Sequence, residues 1–409
     1  MIKKLTLLFF IPLALTGQNQ KHEIHWNTNI LFESNSLDRI FLDYMLYGGQ
    51  ISDSIKSNWI KSGNNNNIIY SEISNSLSYR YHFTGHNIGF SVADVNILNA
   101  SSTDDFLRIL LEGNFYHQDR TLDFSGTSIR ANRFQQYKIK YTREINNMKI
   151  TGGISYLSGN HHISYLLEKG SLYTAPFGTY LDVEYSMDAF ITDTSNFSLL
   201  ANNGNGIAMD IGADFTTKEY DIHVSLSDLG FIMWNNSSIT LATDSAFNFQ
   251  GIEVDDIFTF NDSVLEANNI QDNITKTNNN SFKSYIPATV HFSLSGKKED
   301  KYLKNYIFGI IAKWQPYMDN KPLSLEKISQ GFKESNYSPL YYINTKFYLK
   351  SFTISPTFSY GGYSENENIG LALSKGLKNK LTIGTYHLED LFNSEGNSVG
   401  GYFNIYLQF

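Results

Sequence analysis

The feature that most constrains this chain is an alternation of apolar and polar residues that recurs from end to end. In GGYFNIYLQF (residues 400–409), Phe403, Ile405, Leu407 and Phe409 oppose Tyr402, Asn404, Tyr406 and Gln408. In ISNSLSYRYHF, Ile73, Leu77, Tyr79 and Tyr81 oppose Ser74, Ser76, Ser78 and Arg80. YKIKYTREI, YLDVEYSMDAF, GIAMDIGADF, DIHVSLSD, TVHFSLSG and LTIGTYHL repeat the pattern. Successive side chains of a strand point to opposite faces, so each segment reads as a strand with one apolar and one polar side. No stretch is long and apolar enough for a membrane helix, and the short apolar leader considered below is too short for one.

The connections between these segments alternate in length. Counting back from Phe409, 389–398 is long, GLKN (376–379) short, GGYSENEN longer, and LKS (349–351) tight. Residues 316–338 are long, GKKEDKYLK moderate, 230–285 very long, TKEY (217–220) tight and 192–205 long. Short turns on one side and long loops on the other are the habit of membrane barrels. The fold class expected is therefore all-β: a transmembrane antiparallel β-barrel of about fourteen strands, within roughly twelve to sixteen. In that barrel Leu181, Ile211 and Leu226 would face lipid, and 181–191 and 204–216 would be neighbouring wall strands. Loops 192–205, 230–285 and 316–338 would face the cell exterior.

Composition agrees. Hydrophobic residues are 41% and charged residues 18%, both low, while aromatics reach 15% with 27 Tyr and 29 Phe. A wall that needs apolar groups only at every second residue has this profile. A net charge of −8 argues against nucleic acid as a partner. The absence of cysteine excludes disulfides, thiolate metal sites and a cysteine nucleophile.

The first seventeen residues have a basic start at Lys3 and Lys4 and an apolar run from Leu5 to Leu15, and are expected to be a signal peptide. Residues 18–409 are expected to form one domain. Gln18 stands where a lipidated cysteine would sit, so no lipid anchor is expected. Two stretches have helical spacing: SLDRIFLDYML (36–46), and STDDFLRILLEGN (102–114) with its Ser/Thr–Asp start. The first precedes the first clear strand. It leads to the expectation that 18–60 folds into the lumen as a plug, with Arg39 meeting an acidic wall patch.

GNGIAMDIGADF…YDIHVSLSDLGFIMW (205–234), together with YIPATVHFSLSG (285–296) and the C-terminal hairpin, resembles an uncharacterised family of Bacteroidota outer-membrane barrels. That family is similar to the FadL-type transporters of hydrophobic compounds and to the PorV and PorP/SprF barrels of type IX secretion. The resemblance covers roughly the second half of the chain. It implies a Gram-negative outer-membrane location, with lipid and a hydrophobic ligand or secretion-system proteins as partners. It carries over no catalytic residues. The N-terminal half lacks the Asn-Pro-Ala element common near the start of FadL-type barrels.

Polar faces line the interior of such a barrel. Asp182, Glu184 and Asp188 share one strand face, Asp210 and Asp214 the next, Asp221 and His223 a third. Carboxylates side by side repel and need partners, for which Lys138, Lys140, Arg80 and Arg39 are available. The patch is either a polar conduit or plug-docking surface, or an ionic brace in a watery lumen. Phe231 and Trp234, with Ile232 and Met233, belong to an aromatic girdle or a hydrophobic port. His161 and His162 point to opposite faces and cannot share an ion. No metal, cofactor or enzymatic motif is expected. Three functions compete: a FadL-like channel for hydrophobic or small molecules, a non-enzymatic accessory barrel of a type IX-like secretion system, and a barrel enzyme, which lacks a motif.

Overall fold

The computed structural model describes residues 21–192, 196, 198, 200–249, 275–278, 280–297, 303–317, 325–376, 378–393 and 396–409. The expected leader, residues 1–17, lies outside them. In chain order the strands are β1 (His22–Ser34), β2 (Asn67–Phe83), β3 (His86–Ser102), β4 (Arg120–Asp123), β5 (Ser128–Ile145), β6 (Met148–Thr174) and β7 (Leu181–Ile191). They continue as β8 (Gly204–Thr216), β9 (Tyr220–Trp234), β10 (Ile239–Phe249), β11 (Thr275–Asn278), β12 (Lys283–Tyr285) and β13 (Ala288–Lys297). The last are β14 (Leu303–Trp314), β15 (Ser338–Leu349), β16 (Phe352–Gly362), β17 (Asn366–Lys375), β18 (Lys380–Thr385) and β19 (Ser398–Gln408). Among the described residues four α-helices accompany them: α1 (Arg39–Tyr47), α2 (Asp53–Ser62), α3 (Asp104–Glu112) and α4 (Leu325–Glu334).

Fourteen of these strands close into an antiparallel barrel: β1, β2, β3, β5, β6, β8, β9 and β13 to β19. Closure is made by β1 against β19, in register from Glu23↔Gln408 to Glu33↔Ser398. The C-terminal alternation falls as its pattern requires. Tyr402, Asn404 and Tyr406 share the inner face with Asn29, Asn27 and His25 across the ladder, and Tyr406 Oη donates to Glu23 at 2.7 Å. Phe403, Ile405 and Leu407 point outward. Along the wall the outward set is apolar and exposed, as at Ile154 (71%), Ile211 (62%) and Ile383 (62%). A surface of that kind is stable against hydrocarbon, and the closed ladder leaves no unpaired edge there.

Tight turns join strands on the side of the termini. Thr84-Gly85, Asn146-Asn147 and Lys350-Ser351 are two-residue connections; Asn146 and Lys350 have positive φ (52° and 54°) at the first central position, as primed hairpin turns require, and Gly85 (74°) has it at the second. The opposite rim carries the long connections, with one exception. The β16–β17 connection shrinks to Tyr363–Glu365 because both strands run further than their apolar pattern.

Two expectations are corrected. First, β7 is not a wall strand beside β8. β6 is 27 residues long; its first half, 148–159, pairs with β8. Its second half, 163–174, pairs with β7. β10 continues beyond β7. β4, β7 and β10, with the second half of β6, stand past the loop-side rim as an extension of the wall. A twelve-residue wall stretch already crosses a bilayer, so Leu181 lies outside the lipid zone. The strand pattern of 181–191 could not distinguish the two sheets, because both have one wet and one dry side.

Second, the segment 18–60 is not a lumenal plug. Within it His22–Ser34 is β1, part of the wall, and α1 and α2 follow at the far rim. There Leu37, Trp59, Ile60, Leu107 and Leu111 form a small core with α3. Asp38 and Thr103 cap α1 and α3 by accepting the amides of Phe41 and Phe106. Ile69, on the outward half of β2, packs into the same cluster, which sets these helices against the outer side of the rim.

These placements predict that Ile211→Arg lowers stability by about 2–4 kcal/mol, whereas Leu181→Arg costs much less. Urea unfolding of both variants in lipid vesicles checks this; equal losses would return β7 to the wall.

Candidate functional site

Where the inward faces approach the loop-side rim they change from polar to apolar. Ile68, Tyr70, Ile97, Phe134, Leu157, Ile232, Trp234, Phe282, Ile286 and Tyr363 form one buried cluster across the mouth of the barrel. Tyr70 and Tyr363 stack with centroids 3.6 Å apart and planes at 10°. Tyr337 meets Tyr363 edge-on at 4.8 Å. Lys313 Nζ sits 4.8 Å from the centre of Tyr70, 5.0 Å from Tyr363 and 5.3 Å from Tyr337. One ammonium thus faces three aromatic rings. Burial pushes the hydroxyls of Tyr337 and Tyr363 well above the ordinary tyrosine range, so they remain neutral donors. Trp234 Nε1 donates to Ser284 Oγ at 2.8 Å.

The described ends of the connection between β14 and β15, residues 315–317 and 325–337, are fastened to the mouth. Arg130, on the inward face of β5 and 3% exposed, donates to the carbonyls of Gln315 (3.1 Å), Pro316 (3.2 Å) and Glu334 (2.8 Å). Its guanidinium lies 4.2 Å from the Tyr317 ring centre. Glu334 ends α4, where unpaired carbonyls favour a cation. Asn99 of β3 donates to Ser335 O at 2.9 Å and accepts from Asn336 Nδ2 at 2.9 Å. Gly331 leaves the space that Trp314 occupies; a Cβ there would lie 2.2 Å from the indole nitrogen.

Below the mouth the lumen is ionic. Lys138 Nζ bridges Asp210 (2.8 Å) and Asp228 (2.7 Å), and Lys140 Nζ reaches Asp210 at 2.9 Å. Gly153 on the intervening β6 admits these side chains; its Cβ would stand about 3.1–3.2 Å from Lys140 and Asp210. Nearer the turns, His223 Nδ1 is 2.6 Å from Asp214 and Nε2 is 3.0 Å from Ser225 Oγ. His291 pairs with Tyr342 Oη at 2.8 Å.

The structure therefore separates the residues expected to form one patch. Asp210 and Asp214 line the lumen with paired cations or histidine, and Asp221 and His223 follow on the inward face of β9. Asp182, Glu184 and Asp188 lie on β7 in the extension, where Asp182 accepts from Asn248 Nδ2 at 2.5 Å. Partial burial raises the Asp188 carboxyl above the usual carboxylate range. Arg39 begins α1; its backbone amide donates to Gly396 O at 2.8 Å, far from the acidic residues it was expected to meet. Trp234 belongs to the mouth cluster, while Phe231 points outward beside Tyr285, with Lys283 Nζ 5.2 Å from its ring centre. Arg130, Tyr70 and Lys313 were not anticipated. The first two stand on the polar half of an alternating strand, and that parity was their one legible signal.

A large apolar hollow elsewhere is bordered by Trp26, Leu77, Phe90, Ile139 and Ile154. Most of these side chains belong to the outward half of the alternation, but Lys138, Gly153 and Asp210 also border the hollow.

His162 sits above the bilayer zone, fully enclosed beside Trp234, with centroids 5.4 Å apart. Its Nδ1 meets Asn132 Oδ1 and its Nε2 lies 3.0 Å from Ser164 Oγ. Burial pulls its pKa from 6.5 down to about 3. The unfolded chain takes this proton first, so stability falls as pH drops from about 6.5 towards 3. The unfolding midpoint is expected to be lower at pH 4.5 than at pH 7.5, with a smaller difference in His162→Gln; an identical difference in the variant would assign the effect to other groups.

Among solved structures, the chain is similar to the Ralstonia pickettii toluene transporter TbuX. Identity is 8% and the TM-score 0.44, over 96% of this chain and 90% of that one. A Pseudomonas aeruginosa FadL homologue gives 7% and 0.41 over 94% and 89%. The translocator domain of the Neisseria meningitidis autotransporter NalP gives 8% and 0.33 over 97% and 91%. Likenesses this distant describe a barrel and nothing finer. No curated protein matches the sequence. A family model does match it, across residues 24–385, which hold nearly the whole wall and the mouth described above; the chain belongs to the family of unknown function DUF5723.

Proposed function

We propose that this protein is a non-enzymatic barrel of a Gram-negative outer membrane that takes up small hydrophobic molecules and rests in a closed state. One observation carries the reading: the inward face turns apolar and aromatic at the loop-side mouth, around Tyr70, Phe134, Ile232 and Trp234. Water-filled pores keep polar linings throughout. An apolar mouth above an ionic lumen instead provides a first binding step for a hydrophobic solute arriving from outside. The β14–β15 cap must shift for passage, and Arg130 is the pin that holds it to β5.

In planar bilayers the intact barrel is expected to conduct poorly, and Arg130→Ala to raise conductance with flickering. Toluene or octane is expected to change Trp234 emission saturably, with the change lost in Trp234→Phe. A freely conducting wild type with no hydrocarbon response defeats the proposal.

The accessory-barrel reading for a type IX-like secretion system draws on a different observation. The sheet extension projects past the rim and ends near Phe177, which is 93% exposed. Crosslinking from that tip to secretion components, with no hydrocarbon response, would favour it.

Both readings place the loop side outside the cell. Lys333→Cys is expected to react with an impermeant maleimide on whole cells, and Lys378→Cys to be protected until the outer membrane is opened. The reverse labelling would invert the orientation.

A further inference from the structure

Among the described residues one group of three side chains has the spacing of a metal centre. Donor atoms of His387, Glu389 and Asp390 lie within 4.8 Å of one another. All three belong to the loop-side connection between β18 and β19. His387 is 1% exposed. Its surroundings are those of a ligating imidazole. Nε2 donates to Glu33 Oε1 at 3.1 Å, the carboxylate contact that orients a histidine whose other nitrogen is a ligand. That other nitrogen, Nδ1, lies 3.0 Å from Asn368 Oδ1 and 3.8 Å from Glu389 Oε1. Ligands about 2.1 Å from an ion and at right angles to each other stand roughly 3 Å apart, so these separations need little contraction.

The oxygen donors are held as well. Glu389 Oε2 accepts the amide of Ile369 at 2.9 Å, and Asp390 Oδ2 that of Ser398 at 3.0 Å. Asn368 Nδ2 donates to Ser364 Oγ and Asn366 O, both at 3.1 Å, which turns Oδ1 towards His387. The alternative occupant of the centre is a proton on Nδ1, shared with Asn368. It would satisfy the ring and leave Glu389 and Asp390 held by the amides of Ile369 and Ser398.

We propose that His387 Nδ1, Glu389, Asp390 and Asn368 Oδ1 bind a divalent cation suited to mixed nitrogen and oxygen donors, Mn²⁺ or Zn²⁺. The position gives it a structural task. Glu33 belongs to β1, Asn368 to β17, and the other two carboxylates to the loop before β19. The ion therefore fastens the rim where the first and last strands close the barrel.

The test uses the full barrel, refolded in detergent, stripped with EDTA and titrated with Mn²⁺ or Zn²⁺ alone. One ion per chain is expected, with a raised thermal midpoint. Glu389→Gln and Asp390→Asn are each expected to weaken binding by on the order of tenfold or more. Pulsed EPR of the Mn²⁺-loaded wild type is expected to show coupling to one imidazole nitrogen. No binding of either ion, or unchanged affinity in both folded variants, overturns the proposal. If either variant loses the folded barrel's electrophoretic mobility, the EPR result decides: absence of nitrogen coupling overturns it.

Discussion

The pairing of β1 with β19 is the constraint on which the rest depends. Inside hydrocarbon every backbone N–H and C=O needs a partner within the protein, and an open sheet would leave two bare edges. The ladder from Glu23↔Gln408 to Glu33↔Ser398 removes them. Closure also makes the two faces unequal: one meets lipid, the other a confined lumen. The alternation of every wall strand must then keep one phase around the ring. A slip of one residue at the seam would turn Ile405 and Leu407 into the lumen and Asn404 into lipid.

Departures from that regularity do the structural steering. β6 carries an extra residue near Asn160, where its register with β5 shifts between Arg133 and Phe134. It shifts again against β7 between Leu167 and Lys169. Past the first bulge the strand changes partner from β8 to β7 and leaves the wall. Small residues mark the crossing: Gly159 and Gly204 face each other, and a Cβ on either would lie within 3 Å of Trp234. The indole fills the space they leave and begins the mouth cluster. The split in the wall and the closure of the lumen thus share one packing solution.

Charge inside the barrel is handled in two ways. Low in the lumen, lysines and aspartates neutralise each other directly around Gly153. At the mouth the buried Arg130 takes backbone carbonyls at the end of α4, and the half-buried Lys313 takes the faces of three tyrosines, with the Glu72 carboxylate beyond Tyr70. Carbonyls and ring faces accept a cation while remaining neutral themselves.

Much of this was legible in the sequence. The period of two, repeated with alternating connection lengths, determined the barrel, its approximate strand count and which residues of each strand share a face. The tight turns at 349–351 and 217–220 and the Ser/Thr–Asp start of 102–114 were local and equally readable. Facing parity put Asp210, Lys138 and Lys140 on the inward side, but not their meeting across β6. Tertiary structure decided the remainder. A strand pattern reports that one side is wet and one dry, but not whether the dry side meets lipid or a packed core, so 181–191 could pass for wall. Helical spacing in 36–46 reports an apolar stripe, and only packing against Trp59 and Leu107 set it at the rim. Arg130 and Glu334, 204 residues apart in sequence, meet because the ring closes. So do Glu33 and His387, separated by 354. Contacts across a closed sheet depend on how many strands lie between them and on their stagger, quantities that belong to the assembled barrel and to no single segment of its sequence.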